Sequence, residues 1–285
     1  MPQSVVPPLR TLRMPYDSGK IDWWELWRYR DLIWMLVRRD FSLFYKQTLL
    51  GPLWYLLQPV LTMLVFTAVF HRMAELSSGG VPAPLFNLVG ILMWGFFRDT
   101  FIGVSETFVR HQALFSKVYF PRLVVPLAEW GIGLIRLGFQ WIILLGLWLF
   151  WVMRTDGIPT FQWGWFSFAV LLLSMAGVGG GLLMASLMTK YRDLRFVVSF
   201  GVQLLMFLSA VFYTLDEAAA RLPAMGEWLR YNPVAVAIES ARWAWLGVGS
   251  VSWEAALVAF TGCGVVLAVG IYRFNRAEKD FLDTI

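Results

Sequence analysis

The sequence predicts an all-α, polytopic membrane protein. It has six transmembrane helices, an N-terminal amphipathic helix in the membrane interface, and two short helices between the fifth and sixth spans. Three observations lead there. The 285 residues are 58% hydrophobic and only 15% charged, against about 25% charge in a soluble domain. Five runs, 51–70, 137–153, 157–189, 196–215 and 255–272, contain no Asp, Glu, Lys or Arg. A helix rising ~1.5 Å per residue crosses a hydrocarbon core of ~30 Å in about 20 residues, so each run is a span or most of one.

Residues 1–21 read as a flexible tail, with prolines at 2, 7, 8 and 15. They lack an apolar h-region, so no cleaved signal peptide is expected. Residues 22–48 read as a helix too charged to span. At 100° per residue Trp23, Trp27, Trp34, Phe41 and Tyr45 fall on one face, with Arg and acidic residues over much of the rest. That is the pattern of a helix lying among headgroups, where tryptophan concentrates; packing on the protein's soluble side is the alternative.

The expected spans are 51–71, a less clean second span (apolar over 85–97, then Arg98, Asp99 and Glu106 before Arg110), 123–152 (with Glu129 and Arg136), 163–188, 196–214 and 254–272. About forty residues separate the last two. They read as two short helices broken at Asn232-Pro233, since proline removes a backbone donor and biases its predecessor away from helix. Residues 276–285 form a C-terminal tail.

Loop charge sets the expected orientation. With the N-terminus inside, the inner segments hold 17 of the 24 Lys and Arg residues and the outer ones hold Arg72, Arg154, Arg221, Arg230 and Arg242. Both termini are therefore expected in the cytoplasm. The net charge of +5 suits anionic lipid better than nucleic acid.

Catalytic chemistry is hard to find. There is no G-x-x-x-x-G-K-[ST] phosphate loop. His71 and His111 are the only histidines, no Cys/His cluster has metal-ligand spacing, and no nucleophile–base pair stands out. Cys263 is the single cysteine, so no intrachain disulfide forms.

Residues 39–59, RDFSLFYKQTLLGPLWYLLQP, carry Arg39-Asp40, Tyr45-Lys46, Leu50-Gly51, Leu53-Trp54 and Pro59. This resembles the approach to the first span in polysaccharide-exporting permeases of the ABC-2 type. Residues 117–126, KVYFPRLVVP, are similar to that family's Lys-Val-Tyr-Phe-Pro-Arg segment after the second span. Lys190-Tyr191-Arg192-Asp193 and Asn232-Pro233 match its charged turn and its outer re-entrant break, so the likeness runs from about 25 to 275.

The resemblance implies the membrane subunit of an exporter for O-antigen-like or teichoic-acid-like glycans carried on undecaprenyl pyrophosphate. Two copies would form a homodimer in the bacterial cytoplasmic (inner) membrane and pair with two copies of a separate ABC ATPase. That partner would bind ATP and Mg, leaving this chain without catalytic residue, cofactor or metal. A segment at about 111–121 would be the coupling helix docking in the ATPase. Re-entrant helices at about 216–247, with Trp228, Asn232, Pro233 and Trp243, would form an outer gate. An ABC-2 exporter of small lipophilic compounds is one alternative; a membrane-embedded enzyme acting on polyprenyl-linked sugars is another, but it would need an acid/base or metal-binding cluster.

Three residue sets are candidates for function. Phe115, Ser116, Lys117, Val118, Tyr119, Phe120, Pro121 and Arg122 offer aromatic anchors ringed by charge, which suits a docking surface; an interfacial anchor is the alternative. Tyr55, Gln58, Thr62, Phe66 and Phe70 share one face of span 1, and Phe196, Phe200, Gln203 and Phe207 one face of span 5. Sugars present apolar faces and hydroxyls, so such mixed stripes would line a glycan channel or else pack against lipid and helices. Arg98, Asp99, Glu106, Glu129 and Arg136 are costly in lipid, and would contact substrate or pair with one another.

Overall fold

The computed structural model describes residues 23–45, 50–115, 120–155, 161–191, 193–221 and 223–282. Its helices are α1 (Trp23–Arg28), α2 (Arg30–Tyr45), α3 (Trp54–Phe66), α4 (Ala83–Ser105), α5 (Thr107–Arg110), α6 (Gln112–Phe115) and α7 (Val124–Val152). They continue with α8 (Trp163–Met188), α9 (Leu194–Phe207), α10 (Leu215–Arg221), α11 (Pro223–Arg230), α12 (Pro233–Leu246) and α13 (Trp253–Leu282). A 3₁₀ turn, Gly51–Leu53, leads into α3, and a π-helical stretch, Thr67–Met73, ends it.

Among the described residues, five helices are long and apolar enough to cross a membrane: Trp54–Met73, Ala83–Ser105, Val124–Val152, Trp163–Met188 and Trp253–Ala277. The expected fifth span, 196–214, is different. Its helix, α9, has 14 residues, about 21 Å at ~1.5 Å per residue and short of a ~30 Å core. The chain leaves helix after Phe207, and Ala210 takes a left-handed φ of +51°. Ser209, Ala210, Val211 and Phe212 are apolar-packed and buried by protein, so the apolar run reaching residue 214 continues past the helix.

α8 sits at the centre, and its small residues allow close neighbours. A Cβ on Gly181 would lie 2.7 Å from Val104 of α4, and one on Gly179 would lie 2.7 Å from the Leu267 backbone of α13. α12 is the most buried short helix, with residues from Val234 to Leu246 buried except Trp243.

The N-terminal helix is interrupted at Tyr29 and packs by a face the ring pattern did not mark. Leu26, Leu36 and Val37 are buried against Val124, Val125, Ala128 and Ile132 of α7, while Trp27 and Trp34 remain open. Phe41 instead turns inward and stacks between Tyr55 and Phe139, with centroids at 5.8 and 5.5 Å. The Trp23 and Tyr45 side chains lie outside the described residues.

Candidate functional site

On the side away from α2, the end of α9 is held by two charges of α12. Arg242 is fully buried; it donates through Nη1 to Ala210 O (2.8 Å) and Tyr213 O (3.1 Å) and through Nη2 to Val211 O (2.5 Å). These carbonyls lost helical partners where α9 stopped, and buried carbonyls need donors. The guanidinium lies 3.6 Å over the Phe86 ring. Glu239, one turn earlier and fully buried, sits 3.7 Å from Arg242 and accepts from Leu215 N at 3.0 Å. Asn232 adds a second tie: Oδ1 caps α12 through Val234 N (3.0 Å), and Nδ2 donates to Leu208 O (2.6 Å). Pro233 is the first residue of α12, where its missing N–H is not needed. Trp228 is 82% exposed, and Trp243 donates to Gln162 Oε1 at 3.0 Å.

The two mixed stripes have different fates. On α3, Tyr55 is buried, Thr62, Phe66 and Phe70 are half-buried, and Gln58 is exposed. Phe66 and Phe70 close on Phe212, at 4.1 and 4.8 Å, directly after the α9 break. On α9, Phe196, Phe200 and Phe207 are 78%, 63% and 47% exposed and Gln203 is exposed. Among the described residues this face makes one ring contact, Phe207 with Phe212 at 6.5 Å, while Val202 packs into the core.

The charges within spans form pairs across helices. Asp99 accepts from its neighbour Arg98 (2.8 Å) and from Arg136 of α7 (3.2 Å), whose guanidinium lies 5.4 Å from the Tyr55 ring. Two cations thus share one carboxylate. Glu106 is buried where α4 ends and meets Arg110 (2.5 Å) and Arg195 of α9 (2.6 Å). Glu129 packs beside Gly103 instead.

The segment 115–122 is described on both sides of Ser116, Lys117, Val118 and Tyr119, which lie outside the described residues. Phe115 is half-buried and Phe120 is buried, with ring centroids 5.7 Å apart, and Phe115 also meets Phe108 at 5.9 Å. Arg122 is buried over the Phe108 and Phe115 rings, and Pro121 is half-buried beside it. Phe115, Phe120 and Arg122 therefore form the internal base of the segment rather than its outer surface. Nearby, Asp40 of α2, His111 and Glu129 of α7 bring ligand-type atoms within 4.8 Å of one another, a grouping that 89 residues of sequence separation conceals. Burial pushes the His111 imidazole below the ordinary histidine range; Asp40 opposes this, and Arg39 and Arg110 add to it.

Sequence reasoning missed Glu239 and Arg242 as a unit. The signal was available: two opposite charges three apart in the small, apolar run PVAVAIESARWAWLG. Arg242, counted among the charges of the outer segments, is fully buried.

Apolar helices, charges neutralised inside the helix bundle and a broken α9 capped from a buried re-folding helix define a polytopic membrane protein with a transporter's construction. The profile of the ABC-2 type transporter family matches residues 31–246, and the chain belongs to that family. It is similar over 96% of its length to an O-antigen export system permease protein RfbA of Klebsiella pneumoniae, at 23% identity and covering all of that protein. A second Klebsiella pneumoniae protein of that name is 21% identical over the same share. A Myxococcus xanthus protein, also named O-antigen export system permease protein RfbA, is 30% identical over 70% of this chain and 75% of its own.

Proposed function

We propose that two copies of this chain form the membrane pathway of an exporter for O-antigen-like polysaccharide carried on undecaprenyl pyrophosphate. A separate ABC ATPase, in two copies, drives movement from the cytoplasmic to the outer side. The observation that carries this reading is the end-to-end similarity to two permeases named for O-antigen export. The exposed Phe196, Phe200, Gln203 and Phe207 face of α9 supports it, since rings and an amide suit a glycan track between two copies.

In this reading both termini are cytoplasmic, in the inner membrane. α9 and residues 208–214 make a sixth crossing completed by α10, α11 and α12, which fold back as the outer gate around Asn232 and Pro233. The segment at about 111–121 is the coupling helix, with Lys117 and Tyr119 as its ATPase contacts; Phe115, Phe120 and Arg122 hold its shape. Arg98 and Arg136, two cations around Asp99, face the substrate's pyrophosphate near the inner leaflet. ATP and Mg belong to the partner.

Deleting the gene in its own host tests the reading. Surface glycan should disappear while lipid-linked glycan accumulates inside, and both this chain and its ATPase should be needed for rescue. Normal surface glycan in the deletion strain would overturn it.

A further inference from the structure

Between α10, α11, α12 and the loop before α13 lies a cavity of about 550 Å³, within the ~300–1,000 Å³ of small-molecule sites. Its walls include three tryptophans, Trp165, Trp243 and Trp253, with Asp216, Arg230 and Ser250 among the polar groups. Trp165 and Trp253 lie with centroids 4.8 Å apart and planes inclined by 43°, so they form a corner rather than a closed stack. Trp253 is 78% exposed. The Trp243 ring is fixed from behind by its bond to Gln162. Asp216 accepts from Ser250 Oγ at 2.9 Å and lies 3.8 Å from Arg230.

We infer that this cavity is a binding site for a short segment of neutral glycan. Tryptophan faces pack against the C–H faces of sugar rings. A carboxylate and a guanidinium, each with flat, paired hydrogen-bonding atoms, suit neighbouring hydroxyls. Asp216 and Arg230 balance each other's charge, so the site has no net charge with which to select a phosphate headgroup. An acyl chain would leave Asp216, Arg230 and Ser250 without purpose. A tryptophan belt at headgroup depth explains single exposed rings, but not three rings lining one cavity together with an oppositely charged pair.

The inference rests on the proposed polysaccharide export and gives it an exit-side contact: newly emerged chain is held against slipping back. Full-length permease with its partner ATPase, in lipid nanodiscs, is titrated calorimetrically with oligosaccharides cut from the host strain's own surface polysaccharide and freed of lipid. Saturable binding is expected. Trp253→Ala should weaken it at least tenfold, Asp216→Asn severalfold, and Trp253→Phe should retain most of it. Retained ATPase activity and an unchanged elution profile show that the variants fold. Absence of oligosaccharide binding, binding unaffected by Trp253→Ala and Asp216→Asn, or saturable binding of short-chain phosphatidylethanolamine in its place would overturn the site. The deletion phenotype above is independent of this titration, so failure of the site leaves the export reading standing.

Discussion

The guanidinium of Arg242 donates to the carbonyl of Val211 at 2.5 Å, across 31 residues of chain. This contact ends α9 where it ends: α12 supplies the donors that the missing helical turn would have supplied. Replacing Arg242 by Leu strands three carbonyls and leaves Glu239 buried without its cation. Breaking a buried pair costs ~3–5 kcal/mol, so the thermal midpoint in detergent should fall steeply. Arg242→Lys, which keeps charge but not the forked donors, should fall less. A midpoint unchanged in Arg242→Leu would show that the contact is dispensable.

Glu106 ties the end of α4 to Arg110 and to Arg195 at the start of α9. Both arginines are about half exposed, so the pairs contribute modestly to stability but tie α9 to the end of α4 and to α5. Glu106→Gln and Arg195→Gln should each lower export in cells severalfold with normal membrane insertion. The double variant should be no worse than the weaker single, as residues sharing one contact are not additive. Strictly multiplicative losses would argue against a shared role.

Much of the fold can be read from apolar runs. Span 163–188 coincides with α8, and 123–152 with α7 apart from one residue, because both runs end in polar or charged residues. The 196–214 run misleads for a physical reason: Val211 and Phe212 are apolar because protein covers them, and an apolar residue does not say what buries it. The ring face of α2 was legible, yet the face that packs, Leu26, Leu36 and Val37, was not, since it becomes necessary only once α7 lies beside it. The same limit hides the site: Arg136 with Asp99 and Arg195 with Glu106 join residues far apart in sequence. The α9 stripe was legible as a face, although its exposure depends on the packing of Val202 opposite it.

Phe115 and Tyr119 should behave differently. Phe115 packs on Phe108 and Phe120 beneath Arg122, so Phe115→Ala should destabilise the chain by ~1–3 kcal/mol. Tyr119→Ala should leave the thermal midpoint unchanged and uncouple ATP hydrolysis from export by tenfold or more. Equal loss of stability in both variants would place Tyr119 in the internal base as well.

His111 gives a pH dependence with a definite sign. Burial lowers its imidazole pKa in the fold, so the unfolded chain binds the proton more tightly. Its contribution is present above about pH 6.5, the unfolded value, and is lost as pH falls through the lower folded value. Stability of the wild type should therefore decline from pH 7 to pH 5 with a component that His111→Gln removes. An identical slope in the variant would assign the decline to other groups.

In the proposed role, this chain carries lipid-linked glycan across the membrane using a partner's ATP hydrolysis. The most direct measurement is ATP-dependent translocation in proteoliposomes containing the chain, its ATPase and undecaprenyl-pyrophosphate-linked glycan from the host, read by loss or gain of access to an added glycosidase. The predicted result is a glycan pool that changes sides only with ATP, Mg and both proteins present. A pool that stays on its original side with both proteins hydrolysing ATP would contradict the claim.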